Sequence, residues 1–472
     1  MRILITTGIY PPQIGGPAQY AKNLKKEFEN LGHEVCVKTY DIENKLPTGI
    51  RHGFFFLKII FSVLAVDFVL TLDNFSVGLP TVFACKLLNK KCVLRTGGDF
   101  LYEGYVERTK KKVLLRNFYQ TEIPNFSLKE KIIFKLTKWT LNNSLRLVFS
   151  TEWQRDIFAK PYNLNLDNTL IIENYYGPKE NINNLTSKEF VGSTRNLVWK
   201  NLDTLQKVFE KIKSKYPDIN LFLENEPFQK FMERIKSCYA VILVSLGDIS
   251  PNMILDAIRF NKSFICTKEV GIYDRIKDAG IFVNPLDENE IVSAMEEMMS
   301  AEGYQNAKEK INKFNFEHTW NNIAEEFVRV FKALPDIANS NIIKNLWHSF
   351  IFLRYFLCGI TSAGLNILVL YLLTDIVGIW YLYSSIMAFI ISLIVSFTLQ
   401  KFVVFKDMIT AKLHYQFSKF TVALILGTIT NTILIYVFTD LVGIWYIFSQ
   451  ILAGFFVMIQ NFLLYKFFIF NK

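Results

Sequence analysis

Four apolar segments, roughly residues 355–373, 381–399, 420–438 and 446–464, constrain this chain more than anything else in it. Each is close to the ~20 residues that cross a bilayer as a helix. The first pair returns in the second at a fixed shift of 65 residues: Thr374-Asp375-Ile-Val-Gly378-Ile-Trp380-Tyr381 comes back as Thr439-Asp440-Leu-Val-Gly443-Ile-Trp445-Tyr446. At the same shift Arg354 answers to Lys419, Asn366 to Asn431, Lys401 to Lys466 and Phe405 to Phe470. Two helices per repeat make the halves parallel, related by an axis along the membrane normal. The expected C-terminal unit, 351–472, is an all-α four-helix transmembrane domain made of two hairpins.

Its charges give it a direction. Arg354, Lys401, Lys406, Lys412, Lys419 and Lys466 gather at one membrane face, Asp375 and Asp440 at the other. By the positive-inside rule both termini and the 406–416 loop are expected in the cytoplasm, with the chain a multi-pass protein of the inner membrane. Asn366 and Asn431 fall near mid-depth, where an amide seeks a partner on another helix. This segment resembles the GtrA-like family of small four-helix membrane proteins. The resemblance implies handling of polyprenyl-phosphate sugars. Arg354, Lys401, Lys419 and Lys466 then suit a lipid phosphate at headgroup level, or serve topology and anchoring alone.

The region before residue 350 has a soluble protein's texture. The whole chain is 51% hydrophobic with 43 Phe, yet carries a net charge of +10, which points to a membrane protein with basic surfaces and away from nucleic acid. Six cysteines without a C-x-x-C pair argue against a metal or disulfide framework and for a reducing compartment. Met1-Arg-Ile-Leu-Ile-Thr-Thr reads as a first core strand and not as an apolar signal region with a cleavage site, so the N-terminal part is expected to stay in the cytoplasm.

Residues 3–7 read as a strand, followed by a loop with Gly8, Pro11, Pro12, Gly15 and Gly16, a helix to Leu31, and a strand at 34–40. Strand, glycine loop, helix, strand is the opening of a doubly wound parallel sheet. Further units follow, with a helix at 54–66, strands at 68–72 and 91–95, and a second glycine loop, Thr96-Gly97-Gly98-Asp99. Asp99 there either orients a substrate hydroxyl or caps the turn. Lys110, Lys111, Lys112, Arg116, Lys129, Lys131, Lys135 and Lys138 interleave with large apolar residues, a mixture that suits an anionic membrane surface or a solvated helix face.

The chemistry is expected at 245–257. An apolar run from Tyr239 to Leu246 reads as a buried strand. Ser250 fits an N-cap and Pro251 the first helical position, so free N–H groups at Asn252 and Met253 would offer a phosphate site. Asp248 and Asp256 flank that site, eight residues apart. The pair resembles the E-x7-E element of glycosyltransferase family 4, with Asp at both Glu positions. Other stretches are similar to the same family: the P-x-x-G-G loop at Gly15 and Gly16, and Arg195 with Lys200 as its R-x4-K diphosphate pair.

That resemblance implies a GT-B enzyme, two Rossmann-like domains at 1–170 and 171–334, joined by a linker at 335–350 to the membrane unit. It implies a retaining, metal-independent transfer of sugar from a nucleotide donor. Arg195, Lys200 and the helix N-terminus at Ser250 would hold the leaving diphosphate, Gly16 would approach it, Asp256 would bind ribose and Asp248 the sugar. The expected acceptor is polyprenyl phosphate or a lipid-linked sugar, for cell-surface polysaccharide or glycolipid synthesis, with copies able to associate through the helices. No cofactor is expected. Two rivals remain: a transferase with a soluble or protein acceptor, merely anchored, and a lipid-sugar flippase whose GT-B module is non-catalytic.

Overall fold

The computed structural model describes residues 1–13, 15–180, 188–335, 351–407, 413–443 and 445–470. Apart from its first residue, the linker expected at 335–350 lies outside them. The chain forms two compact units, Met1–Ala338 and Asn339–Lys472.

The first unit is built on two parallel sheets. β1 (Arg2–Thr7), β2 (Glu34–Thr39), β3 (Phe68–Thr71), β4 (Lys91–Thr96), β5 (Arg146–Phe149) and β6 (Thr169–Ile171) stand in the order β2-β1-β3-β4-β5-β6. Helices α1 (Gly16–Asn30), α2 (Ile50–Ala65), α3 (Gly78–Leu87), α4 (Phe100–Thr109), α5 (Leu115–Thr121), α6 (Leu128–Asn143) and α7 (Glu152–Tyr162) connect them. Continuous apolar strands such as Ile3-Leu4-Ile5, fully buried, are what a sheet covered on both faces requires.

The second sheet holds β7 (Glu189–Val191), β8 (Asn220–Phe222), β9 (Ala240–Leu243), β10 (Phe264–Thr267) and β11 (Ile281–Val283), in the order β11-β10-β9-β7-β8. Its helices are α8 (Leu202–Lys215), α9 (Phe228–Ser237), α10 (Asn252–Arg259), α11 (Tyr273–Ile276), α12 (Glu288–Met299), α13 (Ala301–Lys313) and α14 (Trp320–Ala333). The last of these leaves its own sheet: Ile323, Phe327 and Phe331 share a core with Ile3, Leu24 and Phe28 of the first domain.

Both sheets reverse their strand order beside their first strand, between β1 and β3 and between β7 and β9. Loops leaving the carboxyl ends of strands on either side of such a point splay apart and leave a crevice for a ligand. The loops after β1, β7 and β9 carry Gly15 and Gly16, Arg195 and Lys200, and Asp248 and Ser250.

In the second unit four helices, Ile351–Tyr371, Tyr381–Thr398, Leu413–Tyr436 and Tyr446–Leu464, form two hairpins. Extended by their last turns they give four spans long and apolar enough to cross a membrane. Each last turn widens to i→i+5 bonding, as in Val377 N–H to Leu372 O and Val442 N–H to Val437 O, both 3.0 Å. The hairpin turns need glycine, because Gly378 and its repeat mate Gly443 sit at φ +80° and +77°. Asn366 donates to Ser392 Oγ at 3.1 Å, joining the first two helices at mid-depth.

The four matched cations, expected to suit a lipid phosphate at headgroup level, do not share one environment. Arg354 donates to Val403 O at 3.3 Å and Lys419 to Phe468 O at 3.4 Å, one contact repeated at the 65-residue shift. Each satisfies a carbonyl at the end of another helix, where a cation also meets the negative pole of the helix dipole. Lys401 is fully buried, 2.9 Å from Asp407 Oδ2 and 2.6 Å from Gln416 Oε1. Its charge is spent inside the bundle, which removes it as a lipid-phosphate ligand. Lys466 remains exposed. Phe405 and Phe470, also repeat mates, stack at 5.0 Å.

Candidate active site

Gly16 opens α1, with Gly15 just ahead of it and Pro17 in the first turn. A Cβ on Gly16 would come 2.7 Å from Asn252 Nδ2, the end of a side chain carried by the first residue of α10.

The helix itself begins one step later than its sequence suggests. Pro251, at φ −72° and ψ 109°, is the N-cap and Asn252 the first helical residue; no side chain caps it. Ser250 therefore does not take the capping role, and its hydroxyl is buried without a hydrogen-bond partner among the described residues. Ile254 and Leu255 donate to Pro251 O at 3.0 and 3.2 Å, leaving the N–H groups of Asn252 and Met253 ahead of the helical ladder. With Ser250 they make a donor-rich end facing Gly16.

Lys200 and Asp248 meet across the switch point of the second sheet. Nζ lies 2.5 Å from Asp248 Oδ2, with side chains 12% and 13% exposed, and 4.1 Å from the centre of the Trp199 ring. Asp248 is fixed by its backbone, which donates to Glu269 O and accepts from Gly271 N–H, both at 2.9 Å. Arg195 is exposed at the end of the same loop as Lys200. Asp256, in the second turn of α10, is half-buried, and that burial pushes its carboxyl up to about 7, with the Arg259 guanidinium pulling the other way.

Asp99 is a cap. One oxygen accepts from the N–H groups of Leu101 and Tyr102, both at 3.1 Å, and the other from Tyr119 OH at 2.7 Å. It is 3% exposed and holds the start of α4, while also lining the cleft beside Gly97 and Gly98. Burial still raises its carboxyl to about 6.

One turn along α4 stands Glu103, which the sequence reading passed over. It lines a small cleft of about 40 Å³ with Gly97, Gly98, Trp199, Gly247 and Asp248. Its carboxyl, without a side-chain partner among the described residues, is pushed up to about 7 by burial, against the pull of Arg195 and Lys200. An i, i+4 relation to the capping Asp99 was the one available signal.

The basic run that opens at Lys110 divides. Lys111 pairs with Glu122 at 3.1 Å, Lys112 with Asp203 at 2.7 Å and Arg116 with Glu269 at 2.6 Å. The last two bridge the domains across the cleft, joined by Leu115 N–H to Leu246 O at 3.1 Å. They are not free for a membrane.

Among the described residues no cluster of His, Cys, Asp and Glu is arranged to hold a metal ion. Glu103 and Asp248 share the cleft, with Lys200 paired to Asp248.

Residues 354–470 match the family described as GtrA/DPMS, transmembrane domain. The chain is similar in structure to sucrose-phosphate synthase from Thermosynechococcus elongatus, at 11% identity over 71% of this chain and 98% of that one, TM-score 0.51. It is similar also to HepE from Anabaena in complex with UDP and glucose, at 12% identity over 71% of this chain and 100% of that one, TM-score 0.50. No curated protein matches it in sequence. The chain joins a GT-B fold to a GtrA/DPMS-type transmembrane domain and is a membrane protein.

Proposed function

We propose that the chain is a retaining glycosyltransferase that moves a sugar from a nucleotide donor to a lipid-linked acceptor at the cytoplasmic face. The observation that carries this reading is the approach of Gly16 to the first residue of α10, in whose leading loop Asp248 pairs with Lys200. A diphosphate leaving group gains charge as its bond to the sugar breaks. Lys200, Arg195 and the N–H groups at Asn252 and Met253 would stabilise that charge. Asp248 then faces the cationic sugar centre, and Asp256 the ribose hydroxyls.

The state of Glu103 bears on the acceptor. A polyprenyl phosphate oxygen is largely ionised at neutral pH, since its second pKa is about 6, and needs no base. A sugar hydroxyl must lose a proton. A carboxyl poised near neutral suits the second case, so the acceptor is read as a hydroxyl of a lipid-linked sugar. The proton would pass to Glu103 or to the leaving phosphate, as the new bond forms on the face the old one leaves.

The inward engagement of Arg354 and Lys401 favours a second reading, in which the helices only anchor the enzyme and the acceptor is soluble. The first test is common to both. The purified full chain, screened with uridine and guanosine diphosphate sugars, should be stabilised by one donor class and slowly hydrolyse it. That hydrolysis should persist in EDTA. Activity abolished by EDTA and restored by manganese would overturn the proposed metal-independent chemistry, and absence of any donor turnover would favour the non-catalytic module.

A further inference from the structure

Helix α2 is apolar on both of its sides. Phe55, Ile59 and Val63 are buried in the first-domain core. Ile50, Phe54, Leu57, Phe61 and Leu64 stand out on the other side, Leu57 65% and Phe61 78% exposed. Their spacing is a single helical stripe, and it contains no charge. The charged residues of α2, Arg51 and Lys58, lie off this stripe, and an exposed apolar patch of this kind marks a contact site.

The face runs on across neighbouring helices. Phe56 meets Phe83 of α3 at 5.4 Å, and Phe83 meets Trp139 of α6 at 6.1 Å. Phe83 is itself 47% exposed, and Leu128 and Ile132 of α6 are 76% and 49% exposed. Between these stand Lys129, Lys131 and Lys135, exposed and, with Lys138, outside every ion pair among the described residues. This is the half of the basic-apolar run that the cleft does not use.

We propose that the α2 stripe, with Phe83 and the basic side of α6, docks on the anionic surface of the bilayer that the chain's own helices span. Large apolar side chains would enter the headgroup boundary while lysines meet lipid phosphates. The membrane helices keep that surface at high effective concentration. A second copy is the poorer occupant, because self-association through this face would set unpaired lysines against their own kind. The proposal stands on exposure and charge, independent of the chemistry in the cleft.

The test uses the full chain, with exposed Cys36 replaced by Ser, in vesicles of phosphatidylcholine and phosphatidylglycerol. A fluorophore is placed at Phe61→Cys, at Leu57→Cys, and, as a control, at Ser214→Cys on α8. Labels at 57 and 61 should lose most of their emission to brominated lipid and resist iodide, while that at 214 does the reverse. Replacing Lys129, Lys131 and Lys135 with Gln, or raising salt, should weaken the lipid quenching. Labels at 57 and 61 as open to iodide as the control would overturn the proposal. Shielding from iodide without lipid quenching would also overturn it. Dependence on protein-to-lipid ratio would then name a second copy, and independence would name packing on the chain's own helices.

Discussion

Lys200→Ala should lower the rate of sugar transfer by about 10²–10³, the loss expected when one preorganised donor to a developing anion is removed. The side chain is held at the switch point by Asp248 at 2.5 Å and by the Trp199 ring, so little reorganisation is needed when the diphosphate departs. The same change strands the Asp248 carboxylate, which is 13% exposed. Breaking a buried pair costs about 3–5 kcal/mol, and less where solvent reaches both partners, as here. The double variant Lys200→Ala/Asp248→Asn separates these effects. Its melting temperature should recover towards wild type while its turnover does not. Transfer within roughly threefold of wild type in the single variant, far short of the usual loss, would remove Lys200 from the leaving-group site.

Glu103→Gln should lower kcat by about 10²–10⁴, the range for loss of a positioned base. The pH profile carries the sign. Burial raises the carboxyl to about 7, so the basic form is scarce below neutral pH and accumulates above it. Wild-type turnover should therefore climb with pH through about 7 and then level. The Gln variant should be low and lack that limb. Asp256 is also raised to about 7, so its variant is the control. Asp256→Asn should weaken donor binding and keep the rising limb. A Glu103→Gln enzyme with the wild-type limb would show that the titrating group lies elsewhere.

Some of this molecule was legible before its structure because the signal is local. An apolar run of bilayer length and a strand-glycine-helix step announce themselves in one stretch of sequence, and the 65-residue repeat fixed the pairing of the hairpins. The cleft loops were found the same way, since they follow strands whose carboxyl ends make the crevice. What escaped depends on how the chain folds back on a side chain, on partners in another domain, or on backbone angles. Lys401 looked like a headgroup cation until Asp407 and Gln416 folded around it. Arg116 looked solvated, but its partner Glu269 comes from the other domain. Ser250 had a cap's chemistry, yet the extended Pro251 took the position. For α2 the sequence reading placed a helix at 54–66; only the sheet beneath it decides which side is left bare.

The central claim is a cytoplasmic-face transfer to lipid, and one measurement bears on it most directly. Full-length protein in vesicles is given its nucleotide sugar together with a lipid-linked saccharide, polyprenyl phosphate or a soluble saccharide. The extracted products are then weighed by mass spectrometry and their anomeric configuration read by NMR. The expected result is one added sugar on the lipid-linked saccharide, with the donor's configuration kept. Product of inverted configuration, or sugar found only on soluble saccharide, would contradict it.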